Sequence, residues 1–227
     1  MKIGIISAME KERVLIEPMI QYPKKIETSG IEITQGRLNK HEIFLTKCGI
    51  GKVNAAINTY KLIQHCHPDL IINTGVAGGA SNRTKIGDML VADYVAYNDV
   101  WCGPGTEPGA ADGLEVFMKC NPAIVDIALS KADGKRLFIG LICSGDKFIT
   151  KASEIIEIQS LFPEVLAVDM ESASIAQVCS MEGIQFNIIR VISDTPGSGE
   201  NLNQYQNFWK KAPEKTFLLL ESILKEL

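Results

Sequence analysis

The chain predicts an α/β fold on a mixed or parallel sheet, and two observations carry the reading. Short runs of branched apolar residues end abruptly in glycine or acid. Leu70-Ile71-Ile72-Asn73 runs into Thr74-Gly75, and Ile188-Ile189-Arg190-Val191-Ile192 into Ser193-Asp194. Between such runs lie longer stretches with apolar residues at helical spacing. A continuous apolar run marks a strand covered on both faces. Ligands of such sheets sit outside the carboxyl ends of the strands. Asp194 follows one strand and Glu171 follows the apolar run Val165–Val168, so acid chemistry on a small molecule is indicated.

At 227 residues and 24.9 kDa the chain can bury a substantial core, and it shows no linker or repeat; residues 1–227 read as one domain. A net charge of −4 gives no basic footprint, which argues against nucleic acid as a partner. The opening run Met1–Ser7 is too short for a signal peptide, and no segment approaches the ~18 apolar residues of a membrane span. A cytoplasmic protein is expected. The six cysteines are scattered, with no C-x-x-C pair, so neither disulfides nor a zinc site are expected.

In chain order, Ile3–Ser7 reads as a buried strand, and a helix opens at Ala8 with Glu12 in its first turns. An acid there favours the helix dipole whether or not it has chemistry to do. Residues 31–34 and 42–46 alternate as strands around a turn at 38–41. Gly49-Ile50-Gly51-Lys52-Val53-Asn54-Ala55 is a glycine turn into a helix, a weak match to a dinucleotide fingerprint that lacks the required acid ~20 residues on. His65-Cys66-His67-Pro68 ends that helix; adjacent helix residues do not share a face, so a metal site is not expected there.

The strand at 69–73 leaves through Thr74-Gly75-Val76-Ala77-Gly78-Gly79, read as a glycine turn. Another strand follows at 87–93. Residues 98–114 are too rich in glycine and proline for regular structure, and Trp101 within them is a candidate lid or interface residue. A helix at 123–132, a strand at 137–143 and a helix at 150–164 come next. The run ending in Val168 passes through Asp169-Met170-Glu171 into a small-residue helix, Ala173–Cys179. Beyond the 188–194 strand, 201–209 is polar with Tyr205, Phe208 and Trp209. Pro213 opens a last helix bearing Phe217, Leu220, Ile223, Leu224 and Leu227.

Three carboxylates at strand ends, without a Ser, Cys or His triad, point to acid–base hydrolysis, of which glycoside cleavage is one form. Arg190 stands in an apolar strand and needs a partner if buried, for which Glu12 and Glu171 are the natural choices. Asp146 either joins Asp194 or caps the turn after its own strand.

Motifs in order along nearly the whole chain sharpen this reading. Lys2-Ile3-Gly4-Ile5-Ile6, Ala8-Met9-Glu10, Gly49-Ile50-Gly51-Lys52-Val53, Ile71-Ile72-Asn73-Thr74-Gly75, Ala77-Gly78-Gly79, Ser144-Gly145-Asp146, Phe148-Ile149, Met170-Glu171, Ile175-Ala176 and Ile192-Ser193-Asp194 resemble the 5′-methylthioadenosine/S-adenosylhomocysteine nucleosidases of the nucleoside phosphorylase superfamily. The resemblance implies a three-layer α/β/α sandwich with a central mixed, partly barrel-like β-sheet. It implies a homodimer acting on a small nucleoside, with no cofactor and no metal. Asp194 would protonate N7 of adenine, Glu12 would activate water with Arg190 beside it, and Glu171 would grip the ribose. Phe148 would stack on the base, the backbone of Ile149 would read its edge, and Ser193 adjoins the acid. Gly78 would lie in a ligand-contacting turn. Met9, Ile50 and Met170 would line the sugar and its 5′ substituent, and Tyr205 or Phe208 would supply an aromatic wall.

Val76 stands where the family often has a small hydroxyl residue, and Asp169 where it more usually has Glu. The segments 98–114 and 195–209 follow the family least, so the 5′ group is the least determined feature. Three other readings stay open: an aminofutalosine hydrolase with the same acids, a purine nucleoside phosphorylase, and a non-catalytic nucleoside-binding protein. Phosphorolysis needs a cationic pocket, and near the glycine turns only Lys52 and Arg190 offer charge.

Overall fold

Burial decides which apolar runs become central strands. β1 (Lys2–Ser7), β5 (Leu70–Gly79) and β10 (Gln185–Asp194) are buried along most of their lengths. The computed structural model describes residues 1–132, 136–211 and 217–227. β5 pairs in parallel with β1 on one side and β10 on the other. β10 then runs antiparallel to β6 (Met89–Tyr97), β6 parallel to β8 (Leu137–Ser144), and β8 parallel to β9 (Val165–Asp169). β9 returns antiparallel to β5, which closes a five-stranded barrel. From β5 the sheet also extends outward through β1, β4 (His41–Lys47), β3 (Ile31–Leu38) and β2 (Gln21–Thr28), while the short β7 (Met118–Lys119) pairs with β6.

Period-two alternation splits the strands between two helical layers. Ile6, Ile71, Ile188 and Ile192 join a core with α2 (Lys52–Cys66) and α5 (Ser172–Glu182). Ile3, Ile5, Leu70, Ile72, Ile189 and Val191 face α1 (Glu10–Ile16), α3 (Pro122–Ser130) and α7 (Leu218–Glu226). A third cluster packs α4 (Ala152–Leu161) against β8 and β9. This is the α/β/α arrangement with a mixed, partly closed sheet that the resemblance implied.

The departures from expectation have physical causes. β2 carries its exposed side chains along an edge, so it offers no apolar signal; its hairpin turn uses Ser29 and Gly30, both with positive φ. β5 does not stop at Asn73: residues 74–79 stay in the strand, and their glycines are places where neighbours press too close for a side chain. Asn201–Lys211 forms a helix, α6. Pro213 lies outside the described residues. Residues 98–117 are irregular, with Trp101 exposed. Among the described residues no helix is long and apolar enough to cross a membrane.

Candidate active site

One cavity opens at the carboxyl ends of β1, β5, β9 and β10. It is lined by Met9, Glu12, Ile50, Gly78, Phe148, Met170, Glu171, Arg190, Ser193, Asp194 and Tyr205, together with Ala8, residues 74–77, Val168 and Asp169. Ile149 lines the adjoining recess with Gly78, Phe148, Asp194 and Pro196. The residues given a site role by the resemblance therefore border this one region, with a single exception. Phe208 is buried in the core beside Trp209, so Tyr205 is the aromatic residue that α6 presents to the site.

Glu12 reaches the cavity because α1 starts directly behind β1. It is the third residue of the helix, and its Oε2 accepts from the backbone N–H groups of Ala8 (3.0 Å) and Met9 (2.9 Å) as in a capping box. Oε1 accepts from the N–H of Val76 at 3.2 Å. A backbone donor at 76 thus serves Glu12 whatever the side chain, while Val76 itself packs toward the core. A Cβ at position 75 would fall 2.5 Å from Glu12 Oε1, which is why β5 carries glycine there. Burial raises the Glu12 pKa, opposed by these N–H bonds and by the charge of Arg190.

Asp194 ends β10 at a register shift against β5, which aims its side chain off the ladder. It is buried; Oδ1 accepts from Ser193 Oγ at 2.7 Å, and Oδ2 lies over Gly78. Burial raises its pKa, while Ser193 and Asn201 hold it down. Glu171 stands at the cap position of α5, where Oε1 accepts from the Gly51 N–H at 2.9 Å. Gly51, with φ 92°, turns this N–H across from the start of α2. Burial first, then the charge of Asp169, pushes the Glu171 carboxyl up to about 7.

Arg190 contradicts the expected pairing. Its partner is Asp169, with Nε 3.0 Å and Nη2 2.9 Å from Oδ2, and neither Glu12 nor Glu171 bonds to it. Nη2 also donates to Ser172 Oγ at 2.8 Å and to Asn73 Oδ1. Asp169 further accepts from Ser144 Oγ at 2.6 Å and from Ser172 Oγ. A charge this buried stays favourable only when its donors are satisfied, and here a carboxylate, an amide and a hydroxyl do so. Asn73, Ser144 and Ser172 were missed in the sequence. The available signal was Asn73, a buried amide in an apolar strand, which has to be paired. Asp146 likewise leaves the acid cluster: it is exposed, and Oδ1 caps the N–H of Lys52 at 2.7 Å. Lys52 Nζ is held by both oxygens of Asp99 at 2.8 Å.

The outer wall is aromatic. Tyr205 meets Phe148 edge-on at 5.7 Å and Trp209 at 6.3 Å. Its hydroxyl donates to Met9 Sδ at 3.2 Å. Asn201, buried at the start of α6, donates to the Ile149 carbonyl at 3.1 Å and so ties α6 to the recess.

Comparison with known proteins gives this arrangement a family. The sequence matches the phosphorylase superfamily over residues 2–225. Among solved structures, the chain is similar to the S-adenosylhomocysteine nucleosidase of Streptococcus pyogenes in complex with 5-methylthiotubericidin. Identity is 34%, coverage 100% of this chain and 97% of that one, and the TM-score 0.95. The 5′-methylthioadenosine/S-adenosylhomocysteine nucleosidase of Neisseria meningitidis, bound to methylthio-immucillin-A, matches at 32% identity, TM-score 0.95, covering 100% and 99% of the two chains. A futalosine hydrolase mutant of Helicobacter pylori matches at 28% identity and TM-score 0.93, covering 100% and 99%. With matches that run end to end, the chain belongs to the phosphorylase superfamily, in its 5′-methylthioadenosine/S-adenosylhomocysteine nucleosidase family.

Proposed function

We propose that the protein hydrolyses the adenine–ribose bond of 5′-methylthioadenosine and S-adenosylhomocysteine. The observation that carries this reading is the opening of Glu12, Glu171 and Asp194 into one cavity, in a chain alike end to end to nucleosidases. Adenine leaves poorly as an anion, so protonation at N7 by Asp194 lets it depart neutral with the N9 electron pair. Burial of Asp194 favours the protonated form this step needs. Water adds to C1′ as the bond to N9 breaks, and its proton passes to Glu12, which three backbone N–H groups hold in place. Glu171 takes the ribose hydroxyls and, when ionised, favours the positive charge that builds on the ring. The products are adenine and the 5′-substituted ribose. Phe148 carries the base, with Ile149 and Ser193 at its edge. Met9, Ile50, Met170 and Tyr205 surround the sugar and its 5′ group. Arg190 holds Asp169 and adds positive potential near Glu12.

Water as nucleophile is favoured over phosphate by the fate of the two cations nearest the glycine turns. Arg190 is spent on Asp169 and Lys52 on Asp99, so neither is free to bind an anion. We take the reaction to serve nucleoside catabolism and methionine salvage and the protein to work in the cytoplasm, a reading supported by its six free cysteines, which suit a reducing environment. No cofactor or metal enters the scheme. We further take residues 1–227 as one catalytic unit that works as a homodimer, on the strength of an exposed apolar stripe along α2.

The test is release of free adenine from methylthioadenosine, with and without phosphate. Hydrolysis at a rate indifferent to phosphate is expected; a requirement for phosphate would overturn the scheme. Asp194→Asn should lose about 10²-fold or more of kcat while keeping its circular dichroism and melting transition. Glu12→Gln should be similarly slow yet still bind an adenosine analogue; loss of binding and fold together would make Glu12 a structural cap only.

A further inference from the structure

Lys11 is the second residue of α1, beside Glu12, and its charge is placed differently from that of the other lysines near the site. Its Nζ donates to the Tyr205 hydroxyl at 2.8 Å and lies 4.4 Å from the centre of that ring and 4.1 Å from Trp209. Lys52, on another side of the cavity, is neutralised by Asp99, and Lys147 by Glu154. Among the described residues no carboxylate forms an ion pair with Lys11. An ammonium has three donors, of which one is given to Tyr205. Partial burial also lowers its pKa, so the aromatic faces only partly replace the water it has lost.

Its position relative to the cavity gives this cation a use. Tyr205, which accepts from Lys11, donates its own hydroxyl hydrogen bond to Met9 Sδ, and both Tyr205 and Met9 line the cavity. With the purine at Asp194 and the ribose at Glu171, a 5′ substituent passes along this Met9–Tyr205 wall. We propose that Lys11 reads the far end of that substituent, so that the site favours nucleosides whose 5′ tail ends in a carboxylate over those with a neutral tail. This rests on the nucleosidase reading and narrows it. The tail's methylene or aryl part lies on Tyr205 and Met9, and its carboxylate meets the ammonium in a charge-assisted hydrogen bond. Two chemistries share that feature: the amino-acid carboxylate of adenosylhomocysteine and the aryl carboxylate of aminofutalosine.

The experiment measures kcat/KM for adenine release from methylthioadenosine, adenosylhomocysteine and aminofutalosine, in the wild type, Lys11→Met and Lys11→Arg. Lys11→Met is expected to lower the ratio of carboxylate-tailed to neutral substrate about tenfold, mostly through KM, and Lys11→Arg to restore most of it. The carboxylate substrate with the larger drop identifies the tail the site is built for. An equal fall for all three substrates would reduce Lys11 to a brace for Tyr205 and overturn the inference. Wild-type protein that releases no adenine from any of them would instead remove the nucleosidase reading itself, and this inference with it.

Discussion

At the scale of single residues, Glu12, Glu171 and Asp194 are each pushed toward the neutral form by the same cause, burial. For catalysis this separates two tasks: Asp194 has to keep a proton and Glu12 has to be without one. The rate should therefore fall in acid as Glu12 is protonated and fall in alkali as Asp194 loses its proton, giving a bell-shaped kcat/KM profile. For stability the sign is the same for all three. A carboxyl whose folded pKa lies above its unfolded value binds more protons folded than unfolded, so stability drops as pH rises through that interval. For Glu171 the interval runs from the ordinary value of 4.5 to about 7. Glu171→Gln should thus stabilise the fold at pH 8, by on the order of 1–3 kcal/mol, since each pH unit of that interval is worth ~1.4 kcal/mol. The gain should vanish near pH 4, where the native side chain is itself neutral. Thermal melts at the two pH values check this; equal gains at both would show that charge is not the cause. The same variant should lose activity, which is the trade expected where function requires a buried charge.

At the scale of elements, β5 does most to shape the site. Its glycines at 75, 78 and 79 allow Glu12, Pro196 and Thr84 to approach its backbone more closely than any side chain would permit. Gly75→Ala keeps an allowed backbone conformation but puts a methyl 2.5 Å from Glu12 Oε1. It should shift that carboxylate, cost about 1–3 kcal/mol of stability as an overpacked site does, and lower kcat at least about tenfold. Urea melts and adenine release test both parts; a fully active variant would mean that Glu12 tolerates displacement. This element also marks where sequence reading stops. Strand β10 and its terminal acid were legible because an apolar run that ends in a charge has one natural place in an α/β sheet, and β1 was legible as the buried run just ahead of the helix that carries Glu12. The extent of β5 was not, since glycine signals a turn and a close approach alike. Arg190 was legible as a buried cation in need of a partner, yet its partner depended on how far β9 and α5 lie from β10, which no local pattern encodes. Edge strand β2 and polar helix α6 lacked the period that burial imposes elsewhere.

At the scale of the whole molecule, one surface is left unpartnered beside the cavity. Ile50, Val53, Ile57 and Tyr60 are all about half exposed or more, and Trp101 is exposed in the 98–114 segment. Spacings of four and three along α2 put Val53, Ile57 and Tyr60 in a single stripe, the pattern of a helix that packs against another apolar surface, and Ile50 lies just ahead of the helix. Ile50 also lines the cavity, so whatever covers the stripe helps to close the 5′ end of the site. A second copy of the chain is the simplest cover, because a twofold interface repeats the same patch on both partners. Ile57→Glu places a charge mid-stripe without touching the cavity lining. It should convert the protein to monomers by analytical ultracentrifugation, because a buried, unpaired carboxylate costs several kcal/mol at an interface. Adenine release at low substrate should fall with it, as the 5′ end opens to water. If Ile57→Glu remains dimeric, the stripe is not the interface. A monomer of undiminished kcat/KM would instead show that one chain builds the whole site, and the contribution of a partner would be lost from the scheme.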